Sequence, residues 1–228
     1  MHNQSVLHKP QAMMFDMDGT LFETETVLLP AYHRTFEQLR SEGLYEGETP
    51  PESIILGSLG MLLEDIWARV MPGASRQTVD RANELLLELQ LQFMEEGLSR
   101  LYPHVEETLE TLHAQGVRLF IASNGLEGYV KGITRVHQLD RLLDGVYSAG
   151  EYQTETKTEL VRLLMEQHGL QSAWMVGDRS SDMEAGKGNG QPVIGCRYAD
   201  FGDDSELAGA DVIITSFEQL LDVFNKAK

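Results

Sequence analysis

The sequence is poor in positive charge. Its 228 residues include 18 lysine and arginine side chains against 36 aspartate and glutamate side chains, for a formal net charge of −18 at pH 7. Nucleic acids and anionic membranes are polyanions, so this balance argues against nonspecific binding to either partner. It leaves a small phosphate ester open as a partner, because a metal ion or a local cationic group overrides the overall field.

Cysteine and long apolar runs are also scarce. The single cysteine, Cys196, excludes an intrachain disulfide and fits a reducing compartment, and we expect it to lie buried in an apolar strand. No apolar run reaches membrane-spanning length, and residues 1–11 contain no apolar signal core. We therefore predict a soluble cytoplasmic protein without a membrane partner, as a monomer or a weak homodimer.

Lysine and strand-like patterns are both missing between Glu23 and Ser99. Apolar side chains recur there at helical spacing instead, in three groups separated by breaks at residues 47–51 and 71–73. The groups are Leu28, Tyr32, Phe36 and Leu39; Leu59, Leu62, Ile66 and Val70; and Val79, Ala82, Leu86, Leu89 and Phe93. This pattern predicts a small antiparallel helical bundle with an acidic, solvated surface.

The rest of the chain alternates between short apolar runs and helical patterns. The predicted strands are 12–15, 117–122, 146–149, 173–176, 192–196 and 211–215. Such alternation indicates a parallel sheet with right-handed crossovers. We therefore predict an α/β fold with a Rossmann-like parallel-sheet core built from residues 1–22 and 101–228. An all-helical domain, residues 23–100, interrupts it just after the first strand, where an insertion can cover a site as a lid.

Polar side chains follow several of these predicted strands. They are Asp16 and Asp18 after the first strand, Ser123 and Asn124 after the second, Lys157 near a helix start, and Asp178 and Asp182 after the fourth. In an open α/β sheet, ligands bind in the crevice outside the carboxyl ends of the strands. If these strands are parallel and adjacent, the polar groups converge at one edge of the sheet.

These motifs, in this order, resemble those of the haloacid dehalogenase-like (HAD) hydrolase superfamily, and the resemblance covers essentially the whole chain. The motifs read Asp16-Met17-Asp18-Gly19-Thr20, Ser123-Asn124-Gly125, Lys157 and Gly177-Asp178-Arg179-Ser180-Ser181-Asp182. The helical insertion resembles a cap domain of the C1 type. By pattern, the chain is most similar to the C1-capped phosphatases that are phosphoglycolate phosphatase-like.

The resemblance implies different roles for the first two carboxylates. Asp16 would attack phosphorus and form an aspartyl-phosphate. Asp18 would protonate the leaving oxygen and then deprotonate the water that hydrolyses the intermediate. A halide leaving group needs no proton, whereas an alkoxide does, so an acid at Asp18 favours phosphate esters.

The resemblance also implies Mg²⁺ as the cofactor. Asp16 and Asp178 supply the hard oxygen ligands that suit Mg²⁺, and the backbone carbonyl of Asp18 is a further implied ligand. Asp182 would be either a ligand or a residue that holds metal-bound water. As a first-turn acid it would also suit the dipole of its helix.

For the phosphoryl oxygens, the resemblance implies contacts from Ser123 and from the amides near Asn124 and Gly125. Lys157 would offset charge on the nucleophile and the phosphate. Considered alone, Lys157 would better suit an exposed lysine at a helix start, and Ser123 could be a simple turn residue; the set of four motifs favours the phosphate-site roles.

Three features of the sequence leave alternatives open. Gly57, Ser58 and Leu59 resemble the loop with which relatives select their substrate, but a turn between two helices explains them equally well. Glu23 stands where relatives commonly have a shorter acid, and would alter the hinge or narrow the pocket. Arg179 would contact substrate or cap, or form a surface salt bridge.

Three functions compete at this stage. The first is a Mg²⁺-dependent phosphatase that hydrolyses a phosphate monoester of a small metabolite. The second is a phosphomutase of the β-phosphoglucomutase type, which returns the phosphoryl group to a sugar. The third is a non-catalytic phosphate-binding protein, against which the acid at Asp18 argues, because binding alone does not require it.

Overall fold

The computed structural model describes residues 7–199 and 204–228. Within them, one parallel sheet has the order β3-β2-β1-β4-β5-β6. The strands are β1 Ala12–Phe15, β2 Arg118–Ser123, β3 Gly145–Ser148, β4 Ala173–Gly177, β5 Val193–Cys196 and β6 Val212–Ile214. The predicted α/β class and the parallel sheet are confirmed, and each strand lies within two residues of its predicted bounds.

Helices occupy the connections between these strands. Before β2 they are α1 Glu25–Ser41, α2 Glu52–Leu56, α3 Leu63–Val70, α4 Arg76–Glu95 and α5 Val105–Ala114. After β2 they are α6 Glu127–Val136, α7 Ala149–Tyr152, α8 Lys157–His168, α9 Ser180–Gly188 and α10 Gln219–Lys226. The segment that carries α1 to α4 is called the helical insertion below. No helix among the described residues is both long and apolar enough to cross a bilayer.

The central strand β1 shows why the sheet forms. All four of its residues are fully buried, and alternate residues point to opposite faces of the sheet. Met13 and Phe15 pack into the core cluster on one face, and Ala12 and Met14 into the cluster on the other. A strand covered on both faces needs a continuous apolar run rather than an alternating one.

The helical insertion has an apolar cluster of its own. Residues of all four helices, α1 to α4, contribute to this cluster, in which Tyr32, Phe36 and Trp67 are the largest fully buried side chains. The helical spacing predicted from Leu59 to Val70 is wrong in its first part, because α3 begins only at Leu63. Gly60 lies in the loop between α2 and α3, with a φ of +88° in the left-handed region that favours glycine.

Two adjacent connections join the insertion to the sheet. Phe22 and Leu101 form an antiparallel bridge, flanked by hydrogen bonds from Glu23 N to Arg100 O (2.9 Å) and from Tyr102 N to Leu21 O (2.9 Å). The domain boundaries at 22/23 and 100/101 stay predictions, and they coincide with this bridge. Helix α4 also packs against α6 of the core, so the insertion lies over the carboxyl edge of the sheet.

Candidate active site

The loop after β1 places two carboxylates at the centre of the sheet edge. Asp16 follows Phe15 directly, and its N–H still donates to Val176 O (2.9 Å), as if the strand continued. The chain then turns tightly, since Leu21 and Phe22 both donate to Met17 O (3.0 Å each). Gly19 makes this turn at a φ of +77°, and a Cβ there would lie 2.4 Å from Asp178 Oδ2. Only glycine lets the loop approach Asp178 this closely.

Three buried carboxylates meet at this edge. Asp16, Asp178 and Asp182 each offer an oxygen, and these oxygens lie within 4.8 Å of one another. They converge because β1 pairs with β4, so that Phe15 lies beside Val176 and the two following loops are neighbours. These three residues were predicted to converge, and the structure brings them together at the sheet edge.

Lys157 lies between two carboxylates of the same cluster. Its Nζ is 2.7 Å from Asp16 Oδ1 and 2.7 Å from Asp182 Oδ1, and the side chain is buried. Burial lowers the pKa of Lys157, but the two adjacent carboxylates outweigh this effect and raise its pKa above the ordinary value. The alternative of an exposed lysine at a helix start is therefore wrong.

One lysine does not balance the negative charge of this cluster. Burial, with the neighbouring carboxylates, raises the pKa of Asp178 well above its usual range and that of Asp182 to about 6. Asp178 Oδ2 is buried and accepts no hydrogen bond, and its nearest cation is Arg179 Nε at 3.4 Å. An excess of buried carboxylate charge with an oxygen left over fits a divalent metal ion.

Asp18 lies in a different environment from Asp16. Its Oδ1 accepts hydrogen bonds from Thr24 Oγ1 (2.7 Å) and from Tyr129 Oη (2.6 Å). Desolvation raises the pKa of Asp18 to about 6, although the two hydrogen bonds oppose the shift. The resulting group exchanges a proton near neutral pH, while Thr24 and Tyr129 fix its orientation.

The loop after β2 contacts the helical insertion. Ser123 is buried, and its Oγ accepts a hydrogen bond from Gly125 N (3.2 Å). Asn124 Nδ2 donates to Gly60 O in the insertion (2.8 Å). The amide nitrogen of Asn124 thus serves the contact between the insertion and the core, a role that the motif did not predict.

Arg179 reaches the same part of the insertion from the other side. Its guanidinium donates from Nη2 to Leu56 O (3.3 Å), while its Nε faces Asp178. The side chain is buried, so the alternative of a surface salt bridge is wrong. Glu23, by contrast, pairs with Arg100 Nε (3.1 Å) across the two connections.

The three residues of the predicted selectivity loop differ in position. Leu59 lines a cavity of about 80 Å³ between the carboxylates and the insertion. Ser58 is fully buried and donates to Ile54 O (2.7 Å). Gly57 ends α2, and its carbonyl accepts from Arg69 Nη1 (3.1 Å). A selectivity role for Gly57, Ser58 and Leu59 stays a prediction, with Leu59 the best placed.

A family model described as haloacid dehalogenase-like hydrolase matches residues 13–196. The chain belongs to this family. The matched range runs from β1 to the end of β5 and includes all four motifs of the HAD resemblance, so the predicted family is confirmed.

Two curated HAD relatives are similar along nearly their whole length. A phosphoglycolate phosphatase of Aliivibrio fischeri is 29% identical, over 94% of this chain and 96% of that protein. A phosphoglycolate phosphatase of Salmonella typhimurium is 26% identical, over 94% of this chain and 92% of that protein.

Solved structures share the fold of this chain. A predicted phosphoglycolate phosphatase from Haemophilus somnus superposes with a TM-score of 0.79 at 22% identity, over 98% of this chain and 99% of that one. CbbY from Rhodobacter sphaeroides, solved in complex with phosphate, has a TM-score of 0.79 at 22% identity, over 95% and 99%. These similarities confirm the Rossmann-like fold class.

Sequence patterns missed the residues that hold Asp18. Tyr129 lies in α6, more than a hundred positions further along the chain, and no motif singles it out. No motif assigned Thr24 a role of its own, and it stands out only because it follows the unusual Glu23. Both contacts depend on how the loop after β1 lies against α6, which a local pattern does not encode.

Proposed function

We propose that this HAD hydrolase is a Mg²⁺-dependent phosphatase that cleaves the phosphate monoester of a small metabolite through an aspartyl-phosphate on Asp16. The observation that carries the proposal is the pair of carboxylates in unlike environments. Asp16 is held by the Lys157 ammonium, whereas Asp18 has a pKa of about 6 and lies beside the cavity. A nucleophile and a proton carrier need such a difference.

Mg²⁺ is the cofactor that we assign to the buried carboxylates. Asp16 and Asp178 would bind it through side-chain oxygens, and Asp18 through its backbone carbonyl. When bound, Mg²⁺ offsets the charge of the phosphoryl group and orients it. Both oxygens of Asp182 already accept hydrogen bonds, from Lys157 Nζ (2.7 Å) and from Arg179 N (3.0 Å). Asp182 is therefore better suited to position Lys157, or a water on the metal, than to bind the metal itself.

In the first half of the reaction, Asp16 forms a bond to phosphorus while the bond to the leaving oxygen breaks. Lys157 keeps the Asp16 carboxylate in place and offsets charge on the phosphate. Asp18 gives its proton to the leaving oxygen, so the product departs as a neutral alcohol. Ser123 and the amides near Asn124 and Gly125 would hold the remaining phosphoryl oxygens.

In the second half, a water molecule attacks phosphorus and releases Asp16. Asp18 takes the proton of that water and regains its starting state. A pKa of about 6 suits both transfers, because the group loses and regains a proton near neutral pH at little cost. Thr24 and Tyr129 keep the carboxylate aimed during the two steps.

A phosphate-release screen over a panel of small phosphate esters tests the proposal. We expect turnover with Mg²⁺, none in excess chelator, and recovery when Mg²⁺ is added back. Free phosphate as the product supports a phosphatase, whereas an isomerised sugar phosphate without phosphate release would identify a phosphomutase. Binding of phosphate esters without any turnover would leave a non-catalytic binding protein. Full activity in chelator would contradict the metal role.

A further inference from the structure

The cavity beside Asp18 has walls of two kinds. The core supplies Asp16, Asp18 and the loop after β2, which are the polar end of the cavity. The helical insertion supplies mainly leucine, isoleucine and methionine side chains, together with the amides of Asn83 and Gln90 on α4. In the proposed reaction, the phosphate occupies the polar end. The leaving group therefore lies against the insertion.

Among the described residues, no cation lines the insertion side of this cavity. The charged side chains in its lining are Asp16 and Asp18, at the core end. The segments outside the described residues, 1–6 and 200–203, contain no lysine or arginine in their sequence. Lys157 is not part of the cavity lining, and its Nζ is paired with Asp16 and Asp182. A second anionic group on the substrate would thus meet carboxylates and hydrocarbon.

Two arginines beside lining residues of the cavity, Arg179 next to Gly60 and Arg69 next to Met61, donate hydrogen bonds to the backbone of the insertion. Arg179 Nη2 donates to Leu56 O (3.3 Å), and Arg69 Nη1 donates to Gly57 O (3.1 Å). To pair with a substrate carboxylate, either side chain would leave its carbonyl acceptor and the position it now holds. Asn83 is also engaged, because its Oδ1 accepts a hydrogen bond from Trp67 Nε1. Gln90, which is 7% exposed, is the cavity's other amide on α4.

On this basis, and resting on the proposed phosphatase activity, we propose that the substrate is the phosphate ester of a small, uncharged alcohol with a largely apolar body. Leaving groups that carry a carboxylate, a second phosphate or an ammonium are discriminated against. The specificity-determining feature is the uncharged wall formed by α2 to α4. A cavity of about 80 Å³ suits a small leaving group.

The expected discrimination follows from desolvation. A carboxylate loses its water on entering this cavity and gains no counter-charge, which is costly unless the group is paired. Asp16 and Asp18 add repulsion to this cost for an anion. An ammonium also loses its water on entry, but attraction to the two carboxylates offsets part of that cost, so the discrimination against it is weaker. A neutral isostere has neither cost, so its kcat/KM should exceed that of the anionic ester by about 10²-fold or more.

The decisive experiment compares phosphoglycolate with its carboxamide, the phosphate ester of glycolamide, on the Mg²⁺-loaded full chain. The two esters differ in charge and hardly in size. Propyl phosphate and 2-aminoethyl phosphate complete the set as an apolar and a cationic leaving group. We expect the amide and propyl esters to be preferred over phosphoglycolate by about 10²-fold in kcat/KM, with the aminoethyl ester also below them.

The neutral-substrate inference and the phosphatase proposal fail on different outcomes of this experiment. Efficient turnover of phosphoglycolate or the aminoethyl ester, at or above the neutral esters, would overturn the neutral-substrate inference and leave the phosphatase proposal standing. Absence of phosphate release from every ester with Mg²⁺ would overturn the phosphatase proposal and the inference with it.

A charge introduced into the wall sharpens the test. Gln90→Arg places a cation in the lining, and we expect it to reduce the preference for the amide over phosphoglycolate by about tenfold or more. Gln90→Met has similar size and no charge, and should keep the preference. If both variants shift the ratio equally, charge is not the selecting property. If the arginine variant does not fold, the ratio measured on the natural chain still decides.

Discussion

The sheet edge and the helical insertion differ in how they treat charge. Asp16, Lys157, Asp178, Arg179 and Asp182 are the buried charged side chains of the described residues, and all belong to the sheet core. Buried polar side chains within the insertion, such as Thr35, Ser58, Thr78 and Gln90, are uncharged. The chemistry that needs desolvated charge is thus concentrated at the sheet edge. The insertion contributes shape and apolar surface. Substitutions in the two regions should therefore have different effects on activity and stability.

The largest effects are expected at Asp16 and Asp18. Asp16→Asn removes the nucleophile with little change of size, so activity should fall to background. Asp18→Asn keeps the nucleophile and removes the proton carrier, at a cost of about 10²–10⁴-fold. Aryl phosphates, whose leaving oxygen hardly needs a proton, should lose least and show a burst of aryl alcohol followed by slow turnover. Stopped-flow traces distinguish the variants. A burst with Asp16→Asn and none with Asp18→Asn would reverse the assigned roles.

The next largest effect is on stability, at Lys157. Lys157→Met leaves Asp16 and Asp182 buried beside each other without their cation, which should lower the free energy of unfolding by about 3–5 kcal/mol. Lys131→Met is the matched control, because Lys131 pairs with Glu127 and Glu151 (2.8 Å each) at a site that is still partly open to solvent, and its loss should cost about 1 kcal/mol or less. Urea denaturation without metal measures both. Equal losses in the free energy of unfolding would show that burial does not increase the contribution of the Lys157 ion pairs to stability.

A smaller effect is expected in the insertion, where Leu59 and its neighbour Ser58 can be separated. Leu59→Ala enlarges the cavity and should change the relative kcat/KM of two substrates by roughly 10-fold or more, with a smaller change for a minimal aryl phosphate. Ser58→Ala removes the hydrogen bond to Ile54 O and should cost about 1 kcal/mol of stability with little change in substrate preference. Preference shifts of the same size in both variants would argue against Leu59 as a selecting side chain.

The smallest effect lies on the outer surface of the insertion. Hydrogen bonds from Arg81 and Gln38, with the Arg81 charge, lower the pKa of Glu42 from 4.5 to about 2. A lowered carboxyl pKa stabilises the fold above the unfolded value, and this contribution is lost as pH falls from about 5 towards 2. Unfolding of the natural chain and of Glu42→Gln should therefore differ slightly at pH 7 and converge in acid. Added salt should reduce the difference, and a difference that grows in acid would contradict this sign.

The sequence predicted what depends on local pattern. Short apolar runs located the strands within two residues. The polar residues after them were expected to meet if the strands are parallel and adjacent, and they do meet because β1 lies between β2 and β4. The contact of Asn124 with Gly60 was not predicted, whereas that of Arg179 with Leu56 corresponds to one of the alternatives left open, a contact with the cap. They depend on how the insertion lies against the core, which periodicity does not encode. Leu59 and Leu62 followed helical spacing, yet Gly60 keeps them outside α3.

The bridge between Phe22 and Leu101 also bears on how this chain tolerates changes of length. The helical insertion leaves and rejoins the core at neighbouring points, so its two ends lie about as close as the ends of a hairpin loop. A short turn joining residues 22 and 101 would therefore close the core without moving β1 or β2. Modules of other sizes fit at the same position for the same reason. The loop after β1 ends at this junction, and residues of the insertion line the same cavity as Asp16, so a segment inserted there begins next to that site.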